Sequence, residues 1–93
     1  MNFDWDEAKN RTNHKKHGGW FEEAQSVWAD PVAVEFFDPE HSRTEDRFIR
    51  VGVSTAPRIL LVVFCEYDAG GLVRIISARK ATAKERKQYE EGV

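Results

Sequence analysis

With 93 residues, of which 41% are apolar and 12% aromatic, the chain is long enough for one domain with one modest core. No stretch approaches the roughly 18 apolar residues of a membrane span, and Met1-Asn2-Phe3-Asp4-Trp5-Asp6 lacks the basic-then-apolar pattern of a secretory signal. A single cysteine, Cys65, excludes an internal disulfide framework and a cysteine-based metal cluster. A reducing, cytoplasmic location is expected, and a net charge of -2 argues against an all-over nucleic-acid binder.

In chain order, residues 2–4 suit a short edge strand. Residues 6–17 read as a polar helix, with Asp6 and Glu7 at its positive end and Lys15, Lys16 and His17 at its negative end. Gly18-Gly19 stops it. Lys9, Asn13 and Lys16 recur along this helix and read as a solvated polar face. A second helix over 20–29 places Phe21, Ala24, Val27 and Trp28 on one side, and Asp30-Pro31 ends it.

Strands follow. Residues 32–37 are β-branched and aromatic, and Asp38-Pro39-Glu40-His41-Ser42 is a turn. In 47–53, alternation sets Arg47, Ile49, Val51 and Val53 on one face and Phe48 and Arg50 on the other. Residues 58–67 hold a continuous apolar run at 59–65, as in a central strand buried on both faces. Asp68-Ala69-Gly70-Gly71 is a hairpin connection leading to a strand over 72–79. Thr82-Ala83-Lys84-Glu85 has the capping-box form and opens a helix to about residue 91. This order points to an α+β fold: two N-terminal helices, an antiparallel sheet of about four to five strands and a C-terminal helix in one domain over 1–93.

The small net charge hides a separation of sign. Residues 9–17 carry Lys9, Arg11, Lys15 and Lys16 and no acid; residues 20–46 carry eight acids and only Arg43 as a base. Residues 72–89 carry six bases against Glu85 alone. Local field, not net charge, steers an anionic ligand.

Strict alternation puts Val73, Ile75, Ser77 and Arg79 on one face of the last strand, and Leu72, Arg74, Ile76 and Ala78 on the other. Arg79 then extends an apolar face at the strand's end, where its planar fork can meet a phosphate. Pairing with Glu85, which would pin the following helix, is the competing and compatible role. Arg86 and Tyr89 can approach the same region, Tyr89 as a stacking platform. Arg47 and Arg58 open their strands, and which sheet face stays open is not given by pattern. His17, at a helix C-terminus, serves either as a cap or as an acid/base group. His14 and His41 read as ordinary surface residues, and Cys65 as an inert core thiol. No metal-ligand spacing or phosphate-binding glycine loop is present.

Three blocks carry a family resemblance. They are Phe3-Asp4-Trp5-Asp6-Glu7-Ala8-Lys9 with Asn13, Lys16-His17-Gly18 and Phe21-Glu22-Glu23-Ala24; Asp46-Arg47-Phe48-Ile49-Arg50-Val51-Gly52; and Arg74-Ile75-Ile76-Ser77-Ala78-Arg79-Lys80-Ala81 with Glu85, Arg86 and Tyr89. In this order, and over nearly the whole chain, they resemble the BrnT family of toxins. The resemblance implies a RelE-like fold of the RelE/ParE-like superfamily and a type II toxin that cleaves RNA without a metal or other cofactor and so inhibits translation. It also implies neutralisation by a BrnA-type antitoxin, with 2:2 among the stoichiometries allowed. The antitoxin supplies the contact with operator DNA through which the complex represses its operon. Carried onto this chain, Arg79 and Arg47 contact phosphate, Arg86 and Tyr89 stand beside them, and His17 is the acid/base; the placement of charge along the chain adds Arg74, Lys80, Arg58 and Lys16 as expected RNA-binding residues. The alternative is a non-catalytic, antitoxin-binding module of the same fold, for which the acidic stretch 35–46 suits a basic partner segment. Direct DNA binding lacks a helix-turn-helix to support it.

Overall fold

A computed structural model describes residues 1–41 and 45–92, with the side chain of His41 excluded. Ser42, the last residue of the expected 38–42 turn, therefore lies outside the described residues, as does the expected surface position of the His41 side chain. The elements are β1 (Asn2–Asp4), α1 (Glu7–His17), α2 (Phe21–Gln25), a 3-10 turn (Ser26–Ala29), β2 (Val34–Phe37), β3 (Arg47–Val53), β4 (Ile59–Tyr67), β5 (Leu72–Lys80) and α3 (Ala83–Glu91). Among the described residues, no helix is long and apolar enough to cross a membrane.

The five strands form one sheet in the order β1-β5-β4-β3-β2. The chain's own hairpins make β2 through β5 antiparallel, but β1 lies parallel to β5, pairing Asn2, Phe3 and Asp4 with Leu72, Val73 and Arg74. The sheet is therefore mixed, correcting the antiparallel expectation. The helices between β1 and the meander return the chain to the far edge, and that geometry reverses the relative direction. The expected second helix is also divided: a short α-helix tightens into a 3-10 turn before Asp30.

A second correction concerns β5. The register slips opposite Val63 and Phe64, so that Phe64 pairs with Ile75 and Val63 with Ser77. Ile76 is the extra residue of a β-bulge, and a bulge inverts the alternation beyond it. Val73, Ile75 and Ala78 consequently share the face buried against α2 with Phe21, Ala24, Val27, Leu60, Val62 and Phe64. Ser77 and Arg79 join Arg74 on the opposite face, with Arg79 across from Leu61. On that opposite face Val51, Leu61 and Ala81 are buried with Tyr89 of α3 packed against them. The sheet is thus covered on both sides, which explains the uninterrupted apolar run of β4.

α1 contributes almost no apolar surface, and two buried asparagines attach it instead. Asn10 donates to Glu7 and Glu22 and accepts from the amide of Phe21; Asn13 bonds the carbonyl of Gly19 and both backbone groups of Ala78. Asn13 therefore belongs to the interior, not to the solvated face expected of it. Its cost of burial is met by satisfied hydrogen bonds. Asp6 caps the helix start by accepting from Ala8 and Lys9, and Gly18, at φ 77°, ends it in the left-handed conformation.

Candidate nucleic-acid interface

At the end of β5, Arg79 donates from both terminal nitrogens to the Glu85 carboxylate, at 2.8 and 2.9 Å. Glu85 in turn accepts from the amide of Thr82, whose hydroxyl accepts from the Glu85 amide, completing the capping box of α3. The Arg79 fork foremost, opposed by burial and aided by the Thr82 amide, holds Glu85 down at about 2. The same fork raises Arg79 above its ordinary value. Arg79 is thus a guanidinium pinned by two bonds, yet its side chain keeps 38% of its exposure, leaving an edge for an anion.

The remaining arginines divide by environment. Arg58 forks onto Glu23 at 2.6 and 2.7 Å and also reaches the carbonyl of Gly18. Its hydrogen bond is the largest influence in lowering Glu23, against burial and with help from Ser54. Arg74 pairs with Asp4 across the β1–β5 seam, and Arg50 with Glu35 while its guanidinium lies 5.1 Å over the Trp28 ring. These three are tied to carboxylates. Arg47 opens β3 directly opposite Cys65. The thiol of Cys65 is pushed up, chiefly by burial and then by Glu45, with Arg47 acting in the opposite sense.

Positive charge without such ties is concentrated elsewhere. Lys9, Arg11, Lys15 and Lys16 on α1, Lys80 at the end of β5, and Lys84, Arg86 and Lys87 on α3 make no side-chain hydrogen bond or ion pair among the described residues. The two helices meet the same strand: α1 through Asn13 on Ala78, α3 through Glu85 on Arg79. The last residues of β5 are therefore flanked by Lys9 and Lys16, which line the α1 cleft, and by the cations of α3, while Arg11 and Lys15 lie on the far face of α1 from Asn13.

The structure brings part of the expected site together. Lys16 and His17 line one cleft with Ser77, two residues before Arg79 and on the same face. Arg47 shares that face but lies four residues farther along β4, opposite Cys65 rather than Leu61, about 13 Å at a strand's rise. Arg86 is exposed on α3. Tyr89 donates its hydroxyl to Asp30 at 2.7 Å, with its ring against the second core cluster. That bond, with burial, pushes the Tyr89 phenol up to about 12. His14 is half-buried and stacked 3.8 Å from Trp20, away from the bare surface expected of it. The residues that sequence reasoning missed are Ser77, hidden by the assumed alternation, and Asn13, the second of two asparagines three apart in a helix with few apolar residues. That spacing is the signal that could have marked them as buried.

Among the described residues, no three of His, Cys, Asp or Glu gather as a metal site requires. No curated protein sequence matches the chain. Among solved structures, it is similar to the Brucella abortus ribonuclease toxin BrnT, with 25% identity and a TM-score of 0.63, covering 88% of this chain and 97% of that one. The family model for the ribonuclease toxin BrnT of type II toxin-antitoxin systems matches residues 5–85. With that match spanning most of its length, the chain belongs to the BrnT family of type II ribonuclease toxins, and membership implies an antitoxin partner.

Proposed function

We propose that this protein is a metal-independent endoribonuclease of RelE-like kind that acts in the cytoplasm and inhibits translation. The observation that carries this reading is the placement of untethered Lys9 and Lys16 of α1 and of the α3 cations on either side of the end of β5. A polyanion gains from such a field, and a pinned guanidinium there is oriented before the ligand arrives. Arg79 contacts the scissile phosphate. The exposed imidazole of His17 accepts the proton of a 2′-hydroxyl, whose oxygen attacks phosphorus; the P–O5′ bond breaks, the leaving oxygen takes a proton from water and the His17 imidazolium returns its own to solvent, giving a 2′,3′-cyclic phosphate and a 5′-hydroxyl. Lys16, Lys80 and Arg86 hold flanking phosphates, while Arg47, Arg58, Arg74 and Tyr89 shape the surface beside them. A BrnA-type antitoxin neutralises the toxin and joins it to operator DNA for autorepression.

Induced expression in a bacterial host should arrest growth and fragment RNA, and Arg79→Ala should relieve both while remaining soluble. Normal growth and intact RNA with the soluble wild type would overturn the reading. Co-expression of the product of an adjacent short gene should restore growth.

One observation favours the non-catalytic, antitoxin-binding alternative. The edge strand β2 exposes Phe37 at 52% beside Glu35 and Glu40, a surface suited to a basic, amphipathic partner segment. That alternative predicts a tight complex with no RNA cleavage at any concentration.

A further inference from the structure

We propose that the cleft between α1 and β5 is a single-nucleotide subsite, seating an RNA phosphodiester one step along the strand from the Arg79 end. This rests on the ribonuclease reading for the identity of the polymer and adds where, and in what form, the strand lies.

The cleft exists because the outer edge of β5 is only partly covered. β1 pairs it at Leu72, Val73 and Arg74, and the Asn13 side chain takes its place at Ala78. Between them stand the bulged Ile76 and Ser77, neither of which has a strand partner on that side. Over this gap α1 presents Lys9, Thr12 and Lys16 at positions i, i+3 and i+7, one face of a helix, with His17 beside them. The cleft is open to solvent, with a volume of about 320 Å³.

Its lining suits a nucleotide better than a bare anion. Lys9, Lys16 and His17 make no side-chain hydrogen bond or ion pair among the described residues, and the Ser77 hydroxyl is likewise unused. The acid in the wall, Asp6, already accepts from the Ala8 and Lys9 amides. Ile76 supplies an apolar wall, which a phosphate has no need of but a sugar or base does. Ser77 precedes Arg79 by two residues on one face, about 7 Å of strand, on the order of one nucleotide step. A duplex cannot enter between a helix and a sheet edge, so the substrate must be single-stranded here.

The test is fluorescence anisotropy with a mixed-sequence 2′-O-methyl oligonucleotide, which lacks the attacking hydroxyl and survives the wild-type protein. Replacing Lys9 and Lys16 together (Lys9→Gln with Lys16→Gln) should weaken binding and reduce the slope of log affinity against log salt by about 0.7, the contribution of one phosphate contact on a single strand. The matched pair Arg11→Gln with Lys15→Gln removes equal charge from the same helix outside the cleft, and should leave the slope near the wild-type value. Ser77→Val should weaken binding without changing the slope. Equal slopes for the two double variants, tight binding of the same sequence as a duplex, or equal binding of poly-glutamate would each overturn the proposal. Cleavage of unmodified RNA is measured in parallel. If the slope moves as expected and RNA stays intact, the subsite stands and catalysis falls; if RNA is cut and the slope does not move, the subsite falls alone.

Discussion

Asn13 pairs with the backbone of Ala78 as a neighbouring strand would, donating from Nδ2 to the carbonyl at 2.8 Å and accepting at Oδ1 from the amide at 3.0 Å. Through this pairing a helix with little apolar surface is fixed against the sheet edge that carries Ser77 and Arg79.

Asn13→Ala should therefore destabilise the protein by about 2–3 kcal/mol, because three buried backbone groups, the carbonyls of Gly19 and Ala78 and the amide of Ala78, lose their partner. Asn13→Asp should be at least as harmful, since a carboxylate has no donor for the Ala78 carbonyl. Urea denaturation reads both; a midpoint equal to the wild type would show that α1 is held by other contacts.

Glu85 ties Arg79 to the start of α3, and its folded-state value near 2, against an ordinary 4.5, sets a sign. A depressed carboxylate contributes stability above its unfolded value and loses that contribution as pH falls from about 4.5 towards 2. Glu85→Gln should flatten this acid limb and cost about 1 kcal/mol at neutral pH, solvent screening at the half-exposed pair keeping the figure small. Stability measured across a pH series distinguishes the two proteins.

Tyr89 and Asp30 form the second attachment of α3. Burial raises Asp30, but the Val53 amide, the Tyr89 hydroxyl, the Val32 amide and Arg50 together outweigh it and lower the carboxyl. Because the Tyr89 phenol is raised to about 12, its contribution is complete below pH 10 and disappears as pH rises through 10 to 12. Tyr89→Phe should cost about 1 kcal/mol and abolish that alkaline dependence. Persistence of the dependence in Tyr89→Phe would assign it to another group.

Gly52 sits where the sheet meets the 3-10 turn. A Cβ there would lie 2.8 Å from Val27 Cγ1, 2.9 Å from Ala33 Cβ and 3.0 Å from Asp30 Oδ2. Gly52→Ala should destabilise by about 1–3 kcal/mol, lowering Tm by at least about 4 °C in a domain of this size. An unchanged melting curve would mean that the turn relaxes freely.

Local chemistry made much of this fold readable. Asp6 and Gly18 bound α1 as their capping preferences demand, the Thr82–Glu85 capping box opens α3, and β3 keeps its alternation from Arg47 to Val53. Each of these depends on residues within a few positions of one another. The candidate site was legible in part for the same reason: the basic composition of residues 72–89 and the short Arg79–Glu85 separation are local facts.

What the sequence determined by itself was the set of elements, their caps, the separation of charge and the resemblance to BrnT toxins. Tertiary structure alone decided that β1 runs parallel to β5, that Ile76 bulges and turns Ser77 and Arg79 to the face of Arg74, and that Asn13 is buried on Ala78. These depend on contacts between residues up to about seventy positions apart, where register and packing against the other strand determine which side each residue faces. A one-residue bulge leaves little trace in composition, yet it reverses every side chain beyond it, and the Arg79 end of the strand lies beyond it.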